Sequence, residues 1–390
     1  MKVRRSIRAV FASAAAVLAM VAGSGQVGAA GATITPVITG LEGPRGVAFD
    51  GHGNLYVSET GKFFNIAPGP FGVSRTGKVD RYRLTNSGAH LVWSTNFDSL
   101  YDFQHGPPGE VLGPEGVSVL CPGEDEDGND CKIRMIESES RDGVNATTPG
   151  LSIGDIGHLF ALNPETGHAV SKSDVGHQEY VWAAAHKNLW EEFPDSNPYG
   201  VLMVRDHNTG KIRTFVVDAG ANTVSEVMRD GTNRVIAFIP NDPVRDSTPT
   251  CAAVGPDGAL YVGTLDFVAN LFVFGPGQSH VYRVDPDTKE NFIDAGKHVW
   301  ASGLTTITAC AFDRSGNFWG TEMFQPNVGG PPGDLVRIPF GSPSTHQRIG
   351  GGHLPVPGGV TPGSDGSLYM SINSANTAPA SGMIVKVTPA

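Results

Sequence analysis

Short alternations of apolar and polar residues run along this chain, broken every few positions by Gly, Asp and Asn. A period of two with such punctuation predicts strands joined by tight turns, not helices. Four stretches repeat the pattern closely: Gly46-Val-Ala-Phe-Asp-Gly-His-Gly-Asn-Leu-Tyr-Val-Ser-Glu59, Cys251 to Thr264, Ala309 to Glu322, and Gly359 to Ile372. From openings at 46, 251, 309 and 359, the apolar pair after the turn starts in the same register at 55, 260, 318 and 368. A looser copy couples Gly200-Val-Leu-Met-Val to Thr214-Phe-Val-Val-Asp218, and a sixth runs from Gly113 through an acidic insertion to Ile133-Arg-Met-Ile136. Each copy reads as a β-hairpin.

Second hairpins follow, at Lys78–Leu84 turning at Asn86-Ser-Gly88, His158–Leu162 turning at Pro164–Gly167, and Val281–Val284 turning at Asp285–Asp287. A four-stranded antiparallel unit cannot bury both faces alone, so repeated units stack radially. The expected fold class is therefore all-β, a six-bladed β-propeller of four-stranded antiparallel blades. Openings at Pro44, Pro114, Pro198, Pro249, Ile307 and Pro357 leave too few residues after the last for a full blade. The spare strand Thr33–Thr39 is expected to complete it beside Met383–Val387 and close the ring.

Before that strand lies a secretory-type segment, expected to span residues 1–29: the basic head Lys2, Arg4, Arg5 and Arg8, an apolar stretch from Ala9 to Ala22, and small residues at Val27-Gly28-Ala29. Arg4-Arg5 is compatible with either general or twin-arginine export. Residues 30–390 are read as one propeller domain, secreted outside the cell, with no run long enough to span a bilayer. With 51 Gly, 28 Pro and only 17% charged residues among 390, the composition suits a turn-rich β protein. The formal net charge of −11, more negative still without the basic head, repels phosphates and disfavours a nucleic-acid partner.

Cys121 and Cys131 are close enough in an exported chain to close a hairpin tip by a disulfide. Cys251 and Cys310, one step out of register in neighbouring repeats, fit buried thiols as well as a bridge. Within the tip, Asp125, Asp127 and Asp130 offer hard oxygens to calcium, the one ion the sequence suggests, although the plainer reading is a turn with solvated charges. Glu59, Asp218 and Glu322 end the second strand of their units, Glu137 or Glu139 fills the place in the second, and Thr264 and Ile372 break the pattern. Radial stacking would gather these carboxylates, with Asn222, at a channel rim able to bind a ligand or cation; the alternative is that each bonds nearby backbone N–H groups. Phe63, Phe64, Phe71, Phe267, Phe272, Phe274 and Phe324 in the neighbouring loops form either an apolar lip or packing beneath those loops.

Short signatures add nothing firm. Gly23-Ser-Gly-Gln-Val-Gly28 falls in the leader, and in Gly72-Val-Ser-Arg-Thr-Gly-Lys-Val79 a valine replaces the magnesium-binding hydroxyl of a phosphate loop. Gly43-Pro-Arg-Gly-Val-Ala-Phe49, Asp195-Ser-Asn-Pro-Tyr-Gly200, Val217-Asp-Ala-Gly-Ala-Asn222 and Pro256-Asp-Gly-Ala-Leu-Tyr-Val262 resemble the ScyD/ScyE family of secreted bacterial proteins, related to NHL-repeat propellers. The resemblance implies fold and export more than activity. The reading it leads to is a binding or scaffold propeller, monomeric, that presents its loop-lined face to a protein, glycan or small molecule without a required cofactor. The alternative is a metal-dependent lactonase or esterase of the gluconolactonase type, with Glu42, Asp218, Asn222 and Glu322 as oxygen donors. A quinone-dependent sugar dehydrogenase is a third reading, for which no histidine and arginine cluster can be located.

Overall fold

The computed structural model describes residues 27–29, 32–50, 52–62, 70–102, 109–121, 131–187, 189, 194–206, 209–240, 246–288, 291–292, 298–325, 331–375 and 378–389. Residues 1–26, most of the segment expected as an export leader, and Asp125, Asp127 and Asp130 of the acidic tip lie outside them, as do Phe63 and Phe64.

The repeated turns have one physical basis. In the first, Asp50 Oδ1 accepts from the backbone N–H of His52 and Asn54 at 2.8 and 3.0 Å, and Gly53 takes φ +89°, a left-handed conformation open to glycine. Asp313 and Gly316 repeat this arrangement four blades on. The strand after each turn is buried on both faces, as in Asn54–Glu59 and Asn317–Glu322, where every residue is buried. That double burial explains why these strands carry the apolar pair of the repeat.

Six antiparallel sheets result, and their innermost strands meet in cyclic order. Pro44–Phe49 lies against Pro114–Leu120, then come Pro198–Arg205, Pro249–Val254, Ile307–Phe312 and Val360–Pro362, which returns to Pro44–Phe49. Each blade keeps four antiparallel strands; three sheets add a short fifth, Glu110–Leu112, Val27–Ala29 and the parallel Asn291–Phe292. The last blade closes with Ala32–Leu41 antiparallel to Gly382–Pro389, Ile34 facing Val387 and Ile38 facing Ile384. Apolar side chains form the core between neighbouring blades, such as Phe215 and Val224 against Leu260 and Tyr282.

Small residues let the inner strands approach at the axis. A Cβ on Gly46 would stand 2.5 Å from Glu115 O, and one on Gly359 would stand 2.4 Å from Arg45 O. The equivalent places in the fourth and fifth blades hold Cys251 and Ala309, and Cys251 bonds Cys310, so these cysteines are a bridge between blades and not free thiols. Cys121 and Cys131 also form a disulfide, closing the hairpin of the second blade.

Two short helices interrupt the β pattern without having been expected from sequence. Helix α1, Arg141–Thr147, is capped by Ser140, whose side chain accepts from Gly143 N; helix α2, Val175–Ala185, is capped by Asp174, which accepts from His177 N. No helix among the described residues is long and apolar enough to cross a membrane.

Candidate functional site

Pairing of the first two strands in each blade places the carboxylates in equivalent register at one end of the ring. Pro44 faces Glu59, Pro114 faces Glu137, Pro198 faces Asp218, Pro249 faces Thr264, and Ile307 faces Glu322. The loops joining second to third strands leave from this end.

The side chains themselves turn into the protein. Glu59 is fully buried, accepts from Glu42 N at 2.6 Å and pairs with Lys78 Nζ at 3.0 Å. Asp218 Oδ1 accepts from the N–H groups of Asn197, Gly220 and Ala221, and Oδ2 from Ser196 Oγ at 2.6 Å. Glu322 accepts from Thr305 N at 2.8 Å and is held by Arg348 Nε at 2.7 Å. In each case the carboxylate braces the turn that leads into its own blade's innermost strand, which is the backbone-bonding alternative. Burial pushes Glu59 up to about 7, with Lys78 pulling the other way, and pushes Asp218 up to about 6. Asn222, at φ +55°, accepts from Thr248 N through Oδ1 and thereby ties the third blade to the fourth; its buried Nδ2 has no partner.

This geometry bears on the metal that a lactonase reading implies. Glu42, Asp218 and Glu322 are not brought together round one point: among the described residues the one group of three ligand-type side chains within 4.8 Å is His52, Cys121 and Cys131. Those two sulfurs are bonded to each other. The donors named from sequence therefore do not fit a shared ion, and no step is derived through one.

The channel is narrow, with about 90 Å³ of space lined by Arg45, Glu115, Tyr199, Thr250 and Thr308. Arg45 Nη2 meets the partly exposed Glu110 Oε1 at 3.2 Å, and Nε lies 3.6 Å from Oε2 of Glu115, which like Arg45 is buried within the ring. Burial pushes Glu115 up to about 8 against the pull of Arg45. From sequence Arg45 carries no assigned role and stands only within Gly43-Pro-Arg-Gly-Val-Ala-Phe49, and nothing local marks Glu115 or Tyr199 as its neighbours.

Of the loop phenylalanines, Phe71, Phe267 and Phe324 are buried, the last two with Leu265 and Met323 under the loops. Phe272 and Val273, at the end of a π-helical turn, Ala269–Val273, and Phe274, which caps it, instead stand 55%, 52% and 50% exposed, followed by Gly275 and Gly277 at positive φ. Among the described residues, these three adjacent exposed large apolar side chains form the most prominent apolar projection at the loop-bearing end.

No family model and no curated protein sequence matches the chain. Among solved structures, a glucose dehydrogenase superposes with TM-score 0.52 at 13% identity, covering 92% of this chain and 99% of that one. A putative glucose dehydrogenase from Thermus thermophilus gives 0.51 at 13% identity over 92% and 100%, and a streptogramin B lyase gives 0.44 at 15% over 92% and 97%. At such identities the dehydrogenase likenesses speak to architecture, and with the cyclic contacts of the inner strands they establish the chain as a six-bladed β-propeller.

Proposed function

We propose that this chain is an exported ScyD/ScyE-like propeller that binds a protein, glycan or small molecule at the loop-bearing end of its channel, as a scaffold and not as a metal hydrolase. The observation that carries this reading is the contrast at that end. Glu59, Asp218 and Glu322 are consumed in bracing the ring, while Phe272, Val273 and Phe274 project from a loop whose base is packed on Phe267 and Phe324. A rigid ring carrying an apolar projection suits recognition, because little entropy is lost in ordering the contact. Two disulfides suit an oxidising compartment.

The test compares the mature protein with a Phe272→Ser/Phe274→Ser variant, each immobilised and probed with a glycan array and with bacterial envelope proteins. Both side chains are half exposed, so the thermal midpoint should stay within about 2 °C while binding weakens at least about tenfold, some 1.4 kcal/mol. Equal binding by the variant, or metal-dependent turnover of a lactone and ester panel by the wild type, would defeat the reading.

A further inference from the structure

The hairpin of His158–Leu162 with Ala169–Asp174, at the outer edge of the second blade, gathers a hydroxyl, an imidazole and a carboxylate on one face. Strand pairing sets His158 opposite Asp174 and Leu159 opposite Ser173, and unbroken alternation would then set Phe160 opposite Lys172. A bulge between Leu159 and Phe160 shifts the register by one residue, so Phe160 meets Ser171 instead. Because a one-residue slip exchanges the two faces of a strand, the bulge brings Ser171, and not Lys172, to the face of His158 and Asp174.

The contacts follow from that register. His158 Nδ1 lies 2.7 Å from Ser171 Oγ, and Ser171 is exposed. On the other side of the ring the buried Nε2, without a full hydrogen bond, faces Asp174 Oδ2 at 3.4 Å. Burial pushes Asp174 up, but the contact with His158, the N–H of His177 and the charge of Arg141 outweigh it and bring the carboxyl down to about 2, so it is ionised and can only accept. The neutral imidazole therefore carries its proton on Nε2, towards the carboxylate, and turns the Nδ1 lone pair to the Ser171 hydroxyl. Elsewhere two of these groups pair without the third: Ser87 Oγ with His90 Nε2 at 3.0 Å, and Asp142 Oδ2 with His177 Nδ1 at 3.0 Å.

We propose that Ser171 is an acylation site, a nucleophile activated by His158 as general base and positioned through Asp174, that takes the acyl group of an exposed carboxylic ester. Oγ attacks the ester carbonyl carbon while its proton passes to Nδ1, the C–O bond to the alcohol breaks, and that proton leaves with the alcohol. Water, deprotonated by Nδ1 in turn, then attacks the acyl-serine, releasing the carboxylic acid and returning the proton to Oγ. Asp174 stays ionised throughout and stabilises the imidazolium. Ser171 stands on the outermost strand of its blade, so a short acyl group carried on a larger molecule suits it better than a long-chain ester, which would need an apolar cleft. The site needs no metal and shares no residue with the Phe272 loop, and neither reading depends on the other.

The experiment treats the mature protein, with chelator present, with a fluorophosphonate and with p-nitrophenyl acetate, and locates the adducts by peptide mass spectrometry. Ser171 should react at least about tenfold faster than Ser87, whose histidine has no carboxylate contact among the described residues, and p-nitrophenolate should appear in a burst. His158→Gln and Asp174→Asn should bring Ser171 down to the rate of Ser87, and Asp174→Glu should restore part of it, while Ser87 keeps its rate in every variant. Ser171→Ala, at an exposed position, should abolish the burst. Ser171 reacting no faster than Ser87, or as fast in His158→Gln as in wild type, would overturn the proposal. So would an undiminished burst in Ser171→Ala.

Discussion

Asp218 illustrates how one residue supports two opposite readings from sequence. A carboxylate at a strand end is placed by register, but whether it opens to the channel or folds back is decided by which N–H groups lie behind it. Here Asn197, Gly220 and Ala221 offer three at 2.8 to 2.9 Å, and that set wins over solvent. Beside it, Glu179 of helix α2 is buried against Thr223 Oγ1 at 2.8 Å and the Ser225 hydroxyl. Burial, with the Asp218 charge added, pushes Glu179 up to about 7. A carboxyl raised in the folded state favours folding below its ordinary range and loses that contribution as pH rises towards the folded value. The midpoint difference between wild type and Glu179→Gln should therefore move against wild type from pH 5 to pH 8, by up to about 3 kcal/mol. A pH-independent difference in thermal scans would show that Glu179 keeps the same protonation in both states.

At the scale of elements, the inner strands depend on glycine for approach and not for turning. Gly46, Gly116, Gly200 and Gly359 are each followed by valine in the sequence, a regularity that reads as strand punctuation until neighbouring blades are present. In the ring, a Cβ at Gly46 meets Glu115 O at 2.5 Å and Val117 N at 2.7 Å, both backbone atoms unable to move aside singly. Gly46→Ala should cost about 1–3 kcal/mol by overpacking, read as a lowered urea midpoint. Gly341→Ala, where nothing lies within 4 Å, should change it by less than about 0.5 kcal/mol. Helices α1 and α2 escaped the sequence reading because both are short, and α2 carries buried residues as unlike as Val175, Gly176, Glu179 and Ala183.

For the whole molecule, the decisive contact is between chain ends. Ala32–Leu41 contributes Ile34, Ile38 and Leu41 to the core while completing the sheet begun by Val360–Pro362. Deleting 32–41 from the mature chain removes those side chains and exposes the edge of Gly382–Pro389. The expected loss is at least about 5 kcal/mol on apolar burial alone. Urea unfolding with an unchanged midpoint would contradict closure by this strand. The Cys251–Cys310 bridge reinforces a different seam, between the fourth and fifth blades, so its reduction should add to the deletion independently.

The repeat register, the six hairpins, the Cys121–Cys131 closure and the spare first strand were all legible in the linear chain. Each rests on local rules, namely strand alternation, Asp-Gly turn chemistry and short loop closure, which act over a dozen residues or fewer. Closure itself needed only counting, since a missing strand at one end and a surplus one at the other leave a single way to pair them. The direction of the Glu59, Asp218 and Glu322 side chains, the Cys251–Cys310 bridge, and the burial of Phe267 and Phe324 beside exposed Phe272 and Phe274 were decided by the tertiary structure. These depend on which atoms of another blade stand opposite. Radial packing brings Glu115 to Arg45 across dozens of residues, and no pattern along the chain encodes that distance.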